Sequence, residues 1–395
     1  MKRGKIECSD LFKLIPAELL QNLEKETKVN HQVKKMSGIV ILKLLLFSLL
    51  NSERVSLRVM EEVYNSDQFK IFSQKGNQRT KHSTIGDRVA NINYVFFEKI
   101  FLEICEQFQT LTKNKKLSKN FRNICIHDST MVSLSAKLLK TGIASGSNVK
   151  RQMKFTIGLQ NSLPKNVVLF KNQVEISEDI ALRQSIIQAN YSSKSIVLFD
   201  RGLQKKKTLI EFCDKDIAFV TRLKSNTRYV ETKKFKEVNG RKTDTLLLEK
   251  DVLIELTSKA QKLAKNEFRL ITATSLKTQE TFLFLTNILD LNAREITELY
   301  KKRWEIEVFF KFLKQELNFK HFVSRSENGI KVMMYATLIL ALLILIYKER
   351  NEISSYKIAK IRFINELDME ITKEVVLASG GSISKFNKWR KAHKT

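Results

Sequence analysis

Proline is nearly missing: Pro16 and Pro164 are the only two in 395 residues. A residue that removes a backbone donor and fixes φ therefore interrupts almost nothing, and long helices are allowed nearly everywhere. Cysteine is scarce too. Cys8, Cys105, Cys125 and Cys213 lie far apart with no CxxC pair, a pattern that supports neither a disulfide framework nor a zinc ribbon and fits a reducing compartment. The amino-terminal MKRGKIECSDLFKLIP lacks the apolar stretch and cleavage site of a secretory signal, so a cytoplasmic location is expected. The most consequential shortage is of acidic residues. Forty-two Asp and Glu face 70 Lys and Arg, a net charge of +28. Such an excess opposes compaction unless a polyanion shares it, and nucleic acid is the first candidate. A ribosomal or membrane-surface protein, or a compositional lysine bias, is the alternative that composition leaves open.

What is present is a large apolar fraction, 43%, in a chain long enough for two or more domains. The one long apolar run, Val332 to Tyr347, has 16 residues and includes Thr337 and two tyrosines. A spanning helix needs about 20 apolar residues, so a buried core helix and no membrane partner are expected.

Residues 1–119 read as a mostly α-helical amino-terminal DNA-binding region, with Ile39 to Leu50 densely apolar and Tyr94 to Phe108 apolar at helical spacing. Within it, His82 to Arg88 (HSTIGDR) fits the start of a recognition helix capped by Ser83 or Thr84, with Arg88 facing phosphate or base. An ordinary capped helix fits the same residues. A basic connector, Thr110 to Arg122, marks a boundary. Residues 120–223 then change to short strand-like runs at Asn123 to His127, Met153 to Gln160, Asn166 to Phe170, Ser195 to Phe199 and Ile217 to Leu223. Helical stretches Ser177 to Ala189 and Lys205 to Phe212 interleave with them. This order predicts an α/β fold, a mixed sheet flanked by helices. Residues 224–290 read as a β-rich insertion, with strand-like Phe268 to Ala273 and Thr281 to Leu285. Residues 291–350 resume the core with a helix whose start carries a capping-box pattern, Asn292 and Glu295. Residues 351–395 form a basic carboxyl-terminal region, ending in Lys385 to Thr395 with Trp389. That tail suits phosphate contact with stacking or a plain frayed terminus.

Two aspartates follow apolar strands in the same way, Asp128 in NICIHDST and Asp200 in SIVLFDRG. Open α/β sheets bind ligands at that end of their strands. If the two strands are parallel neighbours, about 4.8 Å apart, both carboxylates can converge on one hard divalent cation. Either aspartate alone would suit a turn or a helix cap. His127, adjacent to Asp128, should face the other side of the sheet and serve structure. A third acidic group comes from an expected helix, Tyr300 to Leu317, on which Tyr300, Arg303, Glu307 and Lys314 fall within a stripe of about 60°. Taken alone, that stripe also describes a solvated helix face.

Tyr300-x2-Arg303-x3-Glu307-x6-Lys314 resembles the Tyr-Arg-Glu-Lys signature of the insertion sequence four family of bacterial transposases. The Asp128 and Asp200 contexts resemble that family's first two catalytic boxes, and the likeness covers roughly residues 120 to 345. The resemblance implies a ribonuclease H-like catalytic fold, with Asp128, Asp200 and Glu307 as a DDE triad holding two Mg²⁺ or Mn²⁺ ions per active site. Two such ions suit an in-line phosphoryl displacement. It further implies a cut-and-paste transposase that binds double-stranded DNA at terminal inverted repeats, joins it to target DNA and works as a homodimer. Tyr300, Arg303 and Lys314 would hold phosphates near the scissile bond, with Arg201 and Lys205 to Lys207 extending the DNA surface. Some family members stack a flipped base on a tryptophan of the insertion. Here Trp304 and Trp389 are the only tryptophans and neither lies in it. The competing functions are a metal-dependent nuclease that cuts without joining, and an inactive DNA-binding derivative acting as a regulator.

Overall fold

The change at residue 123 from helical to strand-like patterning is where the chain enters its sheet. In the computed structural model, residues 6–8, 15–33, 35–74, 78–111, 123–133, 143–145, 150–238, 240–257, 267–320, 322–324 and 326–392 are described. The basic connector at 112–122 and the last three residues lie outside them. The chain divides into two compact units, one of residues 1–112, 133–139 and 311–395, the other of 113–132 and 140–310.

The first unit is helical: α1 (Ala17–Glu26), α2 (Gly38–Asn51), α3 (Leu57–Asn65), α4 (Asp67–Ser73), α5 (His82–Asn91) and α6 (Tyr94–Leu111), then after the second unit α11 (Glu327–Arg350), α12 (Tyr356–Ala378) and α13 (Ile383–Ala392). Its centre is α11, begun by Ser326, whose side chain accepts from the Gly329 amide. Every residue from Val332 to Tyr347 is buried, packed against α2, α5, α6 and α12. Each fully buried Leu or Ile there contributes about 1.5–3 kcal/mol. Thus the one described helix long and apolar enough to cross a membrane is a core helix, as expected of its apolar run, although the helix itself extends to 24 residues. Tyr335 keeps its hydroxyl satisfied by donating to Glu98 at 2.5 Å.

In α5 the structure departs from the recognition-helix expectation. Lys81, not Ser83 or Thr84, occupies the cap position, and the His82 amide donates to Glu61 at 2.8 Å. Arg88 turns inward and donates to the carbonyls of Met36 at 2.9 Å and Val29 at 2.6 Å. A guanidinium spent on two backbone acceptors braces the fold and is not presented to phosphate. In α13, Arg390 faces Glu7 and Glu370, while Trp389 is about half exposed.

The second unit is built on one mixed sheet: β1 (Asn123–Ser133), β2 (Ile143–Ser145), β3 (Lys150–Gln160), β4 (Leu163–Phe170), β5 (Ser195–Phe199), β6 (Ala218–Leu223), β7 (Tyr229–Lys234), β8 (Arg241–Lys242), β9 (Leu246–Leu256), β10 (Phe268–Ser275) and β11 (Thr281–Thr286). The strand order is β2-β3-β1-β5-β6-β11-β10-β9-β7, with β4 on β3 and β8 on β9. β3 and β4 form a hairpin whose turn residues, Asn161 and Ser162, both have positive φ, the geometry that matches strand twist in a two-residue loop. β1, β5 and β6 run parallel, joined through α7 (Glu178–Gln188) and α8 (Lys206–Asp214). A hairpin on one side of β1 and parallel β5 and β6 on the other make the ribonuclease H-like arrangement. Phe199, Phe212, Phe219 and Phe268 pack ring on ring in its core. The strands of 224–290 lengthen this same sheet, because β11 pairs with β6.

After β11 the expected capping box is formed: Asn292 accepts from the Glu295 amide and Glu295 from the Asn292 amide. It starts α9 (Ala293–Lys301). The single helix expected from Tyr300 to Leu317 is instead broken. The amides of Lys302, Arg303, Glu305 and Ile306 each bond the carbonyl three residues back, and α10 (Trp304–Glu316) begins anew. No proline or glycine marks the point. The tightened turn accompanies the packing of Tyr300 onto Phe284 and the inward course of Arg303, contacts that local propensity does not encode.

Candidate active site

The parallel register of β1 and β5 pairs His127 with Phe199, so the next residues, Asp128 and Asp200, stand side by side. β1 runs on to Ser133, so Asp128 lies within its strand, whereas Asp200 directly follows β5. Alternation sends His127 to the opposite face. There it is fully buried, with its ring nitrogens on the Tyr191 hydroxyl at 2.7 Å and Ser185 Oγ at 3.2 Å. Burial pushes its pKa down to about 3. Gly158 makes room for this ring, since a Cβ there would meet it at 2.7 Å. His127 is structural, as alternation predicted.

Each aspartate has an internal support. Asp128 Oδ1 accepts from the Ser129 amide and Asp200 Oδ1 from the Gly202 amide, both at 2.7 Å. Burial pushes the Asp128 carboxyl up to about 7. The Ser129 amide and Arg303 oppose the shift, and the negative charges of Asp200 and Glu178 add to it. A carboxyl kept partly protonated by desolvation and by like charges marks a place that a cation would stabilise.

Glu178, in the first turn of α7, is a site residue that sequence reasoning passed over. Its Oε1 accepts from Ser129 Oγ at 2.6 Å and pairs with Lys154 Nζ at 2.8 Å. Lys154 is itself buried and also donates to the Ile176 carbonyl at 2.6 Å. A Cβ on Gly202 would meet Asp200 Oδ1 at 2.8 Å and Glu178 Cγ at 2.9 Å, so glycine lets both side chains close on this turn. In sequence, Glu178 looks like an ordinary helix-start acid, and nothing local ties it to Asp128.

Glu307 lies in the first turn of α10 and is engaged by Arg303, Nη2 to Oε1 at 2.5 Å. Burial works against the Arg303 charge. The hydrogen bond to Glu307, with Tyr300, Glu307 and Asp128 nearby, outweighs that and leaves its pKa raised. Arg303 thus interacts with Glu307 and Asp128 alike. Tyr300 is largely buried, its ring 5.8 Å from the Arg303 guanidinium. It lines a pocket of about 200 Å³ with Arg222, Phe282 and Phe284. Lys314 lies on α10 two turns beyond Glu307. Arg201 is exposed beside Asp200. Of the three lysines expected to extend the DNA surface, Lys206 is committed elsewhere, donating to the carbonyls of Arg228 and Thr257.

Hard divalent cations take oxygen donors, and the two aspartates at one register supply them. Glu178 Oε2 is buried without a hydrogen-bond partner among the described residues, an acidic oxygen left unsatisfied by protein, whereas the likewise unpartnered Arg303 Nε is a donor suited to an anion. The donor set therefore fits a divalent ion. Among the described residues no three acidic, histidine or cysteine side chains are drawn together at metal spacing, and Glu307 is paired with Arg303.

Comparison with known proteins agrees with this chemistry. The family model described as "Transposase DDE domain" matches residues 119–344. The chain belongs to the DDE transposases. It is 26% identical over 263 residues to a putative transposase for insertion sequence element IS4SA of Synechocystis, covering 64% of this chain and 69% of that protein. It is 22% identical over 291 residues to a probable transposase for element IS5377 of Geobacillus stearothermophilus, covering 73% of each. A solved piggyBac transposase synaptic complex with hairpin DNA is a distant likeness, at 9% identity and a TM-score of 0.46 over 96% of this chain and 83% of that one. This transposase is thus an enzyme acting on DNA, from a family that uses divalent metal ions, and its positive charge has the polyanion that composition asked for.

Proposed function

We propose that Asp128, Asp200 and Glu307 are the catalytic carboxylates of this transposase, and that they hold two Mg²⁺ or Mn²⁺ ions in the DNA complex. The observation that carries the reading is the β1–β5 register, which sets two carboxylates side by side in a site whose burial raises one of them. When bound, the ions would supply Lewis-acid stabilisation to an in-line displacement at phosphorus. The chain's own residues bind and orient. Arg303, released from Glu307, is placed to grip a phosphate by its planar fork. Lys314 contributes a point charge, Tyr300 a hydroxyl, and Arg201 a contact at the rim. Water cleaves the strand at the terminal inverted repeat and leaves a 3′-hydroxyl. That hydroxyl then attacks target DNA, expelling a 3′-oxygen of the target as the new phosphodiester forms. A homodimer would hold the two element ends, in the cytoplasm and on the nucleoid.

The test uses a labelled donor end carrying the repeats that flank the gene, with Mg²⁺ and a target plasmid. Nicked donor and joined product are expected. Clean hydrolysis without joining would make the protein a nuclease, and intact donor with tight binding would make it a regulator.

A further inference from the structure

The strongest unassigned group in the molecule is Glu178. Three observations bear on it. Its Oε1 is held from two sides, by Ser129 Oγ at 2.6 Å and by the buried ammonium of Lys154 at 2.8 Å. Ser129 in turn donates its amide to Asp128 Oδ1 at 2.7 Å. The bare Gly202 brings the stem of Glu178 and the Asp200 carboxylate against one turn. The remaining oxygen, Oε2, is buried with no hydrogen-bond partner among the described residues. Burying the Lys154 ammonium against the partly exposed Glu178 is expensive, and buried ion pairs commonly give no net stability over apolar residues of the same size. A pair retained next to two acidic groups that it further repels has a better explanation in function.

Resting on the proposed site, we infer that Glu178 is its positioning carboxylate. Anchored by Lys154, it orients Ser129 and through it Asp128, and it adds its own negative charge to the field that attracts the cation. Lys154 sets the orientation of Glu178 without reaching the reaction.

The probe is Mn²⁺ alone, titrated into the full-length DNA-free chain and followed by the paramagnetic resonance of the free ion. E178Q should bind Mn²⁺ about 10- to 100-fold more weakly, the range typical of removing a group that orients a metal ligand. E178D, which keeps the charge, should recover part of that loss. S129A should lose a few fold. The double variant E178Q/K154M removes both charges and guards against misfolding from an unpaired lysine. It should keep the wild-type thermal midpoint, or exceed it, while binding Mn²⁺ as weakly as E178Q. Wild-type Mn²⁺ affinity in the double variant, with D128N weakened, would overturn the role of Glu178 and leave the site standing. Equal losses in E178Q and E178D would overturn the charge part of the inference. If D128N also binds normally, the site reading and this inference fall together.

Discussion

Two regions of the same sheet bury charge in opposite ways. In the outer strands, Arg269 of β10 is fully buried and meets Asp251 of β9 through both Nε and Nη2, at 2.8 and 2.7 Å. Its Nη1 donates to the carbonyls of Ile288 and Leu291, and its guanidinium lies 4.5 Å from the Phe235 ring. Around Asp128 acidic groups crowd together beside Arg303, Glu178 Oε2 and Arg303 Nε lack hydrogen-bond partners among the described residues, and burial, with the negative charges of Asp200 and Glu178, pushes the Asp128 carboxyl up to about 7. A satisfied buried ion pair ties strands together, whereas an unsatisfied one reserves a place for something that arrives. The comparison therefore separates residues that hold the sheet from residues that the proposed site assigns to metal and DNA.

The sharpest way to break it is to remove a charge on each side. Glu307→Gln and Asp128→Asn should each lower strand nicking by about 1,000-fold or more, the loss expected when metal-assisted stabilisation of several kcal/mol disappears. End binding should persist. The thermal midpoint should not fall in Asp128→Asn, which relieves a crowd of like charges, and should change little in Glu307→Gln, which loses only a partly exposed i,i+4 pair with Arg303. Nicking at the wild-type rate in Glu307→Gln would remove Glu307 from the catalytic group. Arg269→Ala should do the reverse. It strands Asp251 in the sheet and should cost about 3–5 kcal/mol of stability, read by denaturant unfolding. A cost under about 1 kcal/mol would mean that the pair is not structural.

The same contrast explains what was legible in the sequence. The strands, the two aspartates, the Asn292 cap and the core helix Val332 to Tyr347 are local patterns of alternation, capping and apolar length, and they could be read directly. The signature at Tyr300, Arg303, Glu307 and Lys314 was legible as spacing, but its single-helix geometry was not. The chain tightens at Lys302 and Arg303, where Tyr300 packs on Phe284 and Arg303 interacts with Asp128, residues that belong to other parts of the fold. Glu178, Lys154 and Gly202 were invisible for the same reason. Each looks ordinary in its own segment and gains meaning only where β3, α7 and the turn after β5 meet. Arg88 shows the converse, a residue whose local sequence suggested DNA and whose partners are two backbone carbonyls.

A third outcome follows from protonation. A carboxylate must lose its proton to ligate metal, and Asp128 titrates near 7 in the metal-free chain. Mn²⁺ affinity should therefore rise about tenfold per pH unit from 5 to 7 and level off above, and Asp128→Asn should flatten that profile. Thermal stability would report the group poorly. Between the ordinary 3.8 and about 7 the folded chain holds an Asp128 proton that the unfolded chain lacks, so stability falls as pH rises. Between about 3 and the ordinary 6.5 the unfolded chain takes up a His127 proton that the folded chain refuses, so stability rises with pH. The two slopes oppose each other over most of one window. A Mn²⁺ profile with no slope below 7 would contradict a raised Asp128.

The smallest effect concerns Arg303, which stands between the two categories. Its bond to Glu307 is an i,i+4 pair, and yet its Nε has no hydrogen-bond partner among the described residues. A structural arginine of the Arg269 kind has every guanidinium nitrogen engaged, so Arg303 is the one that can change partners at little cost. If it moves to a phosphate in the DNA complex, Arg303→Ala should reduce the slope of log binding constant against log salt by about one, with a modest loss of affinity for the cleaved end. The same variant should leave thermal stability within about 1 kcal/mol, since partly exposed i,i+4 pairs are weak. An unchanged salt slope combined with a large loss of stability would place Arg303 with Arg269, among the residues that hold the fold, and Glu307 would then be locked by design and not merely held until DNA arrives.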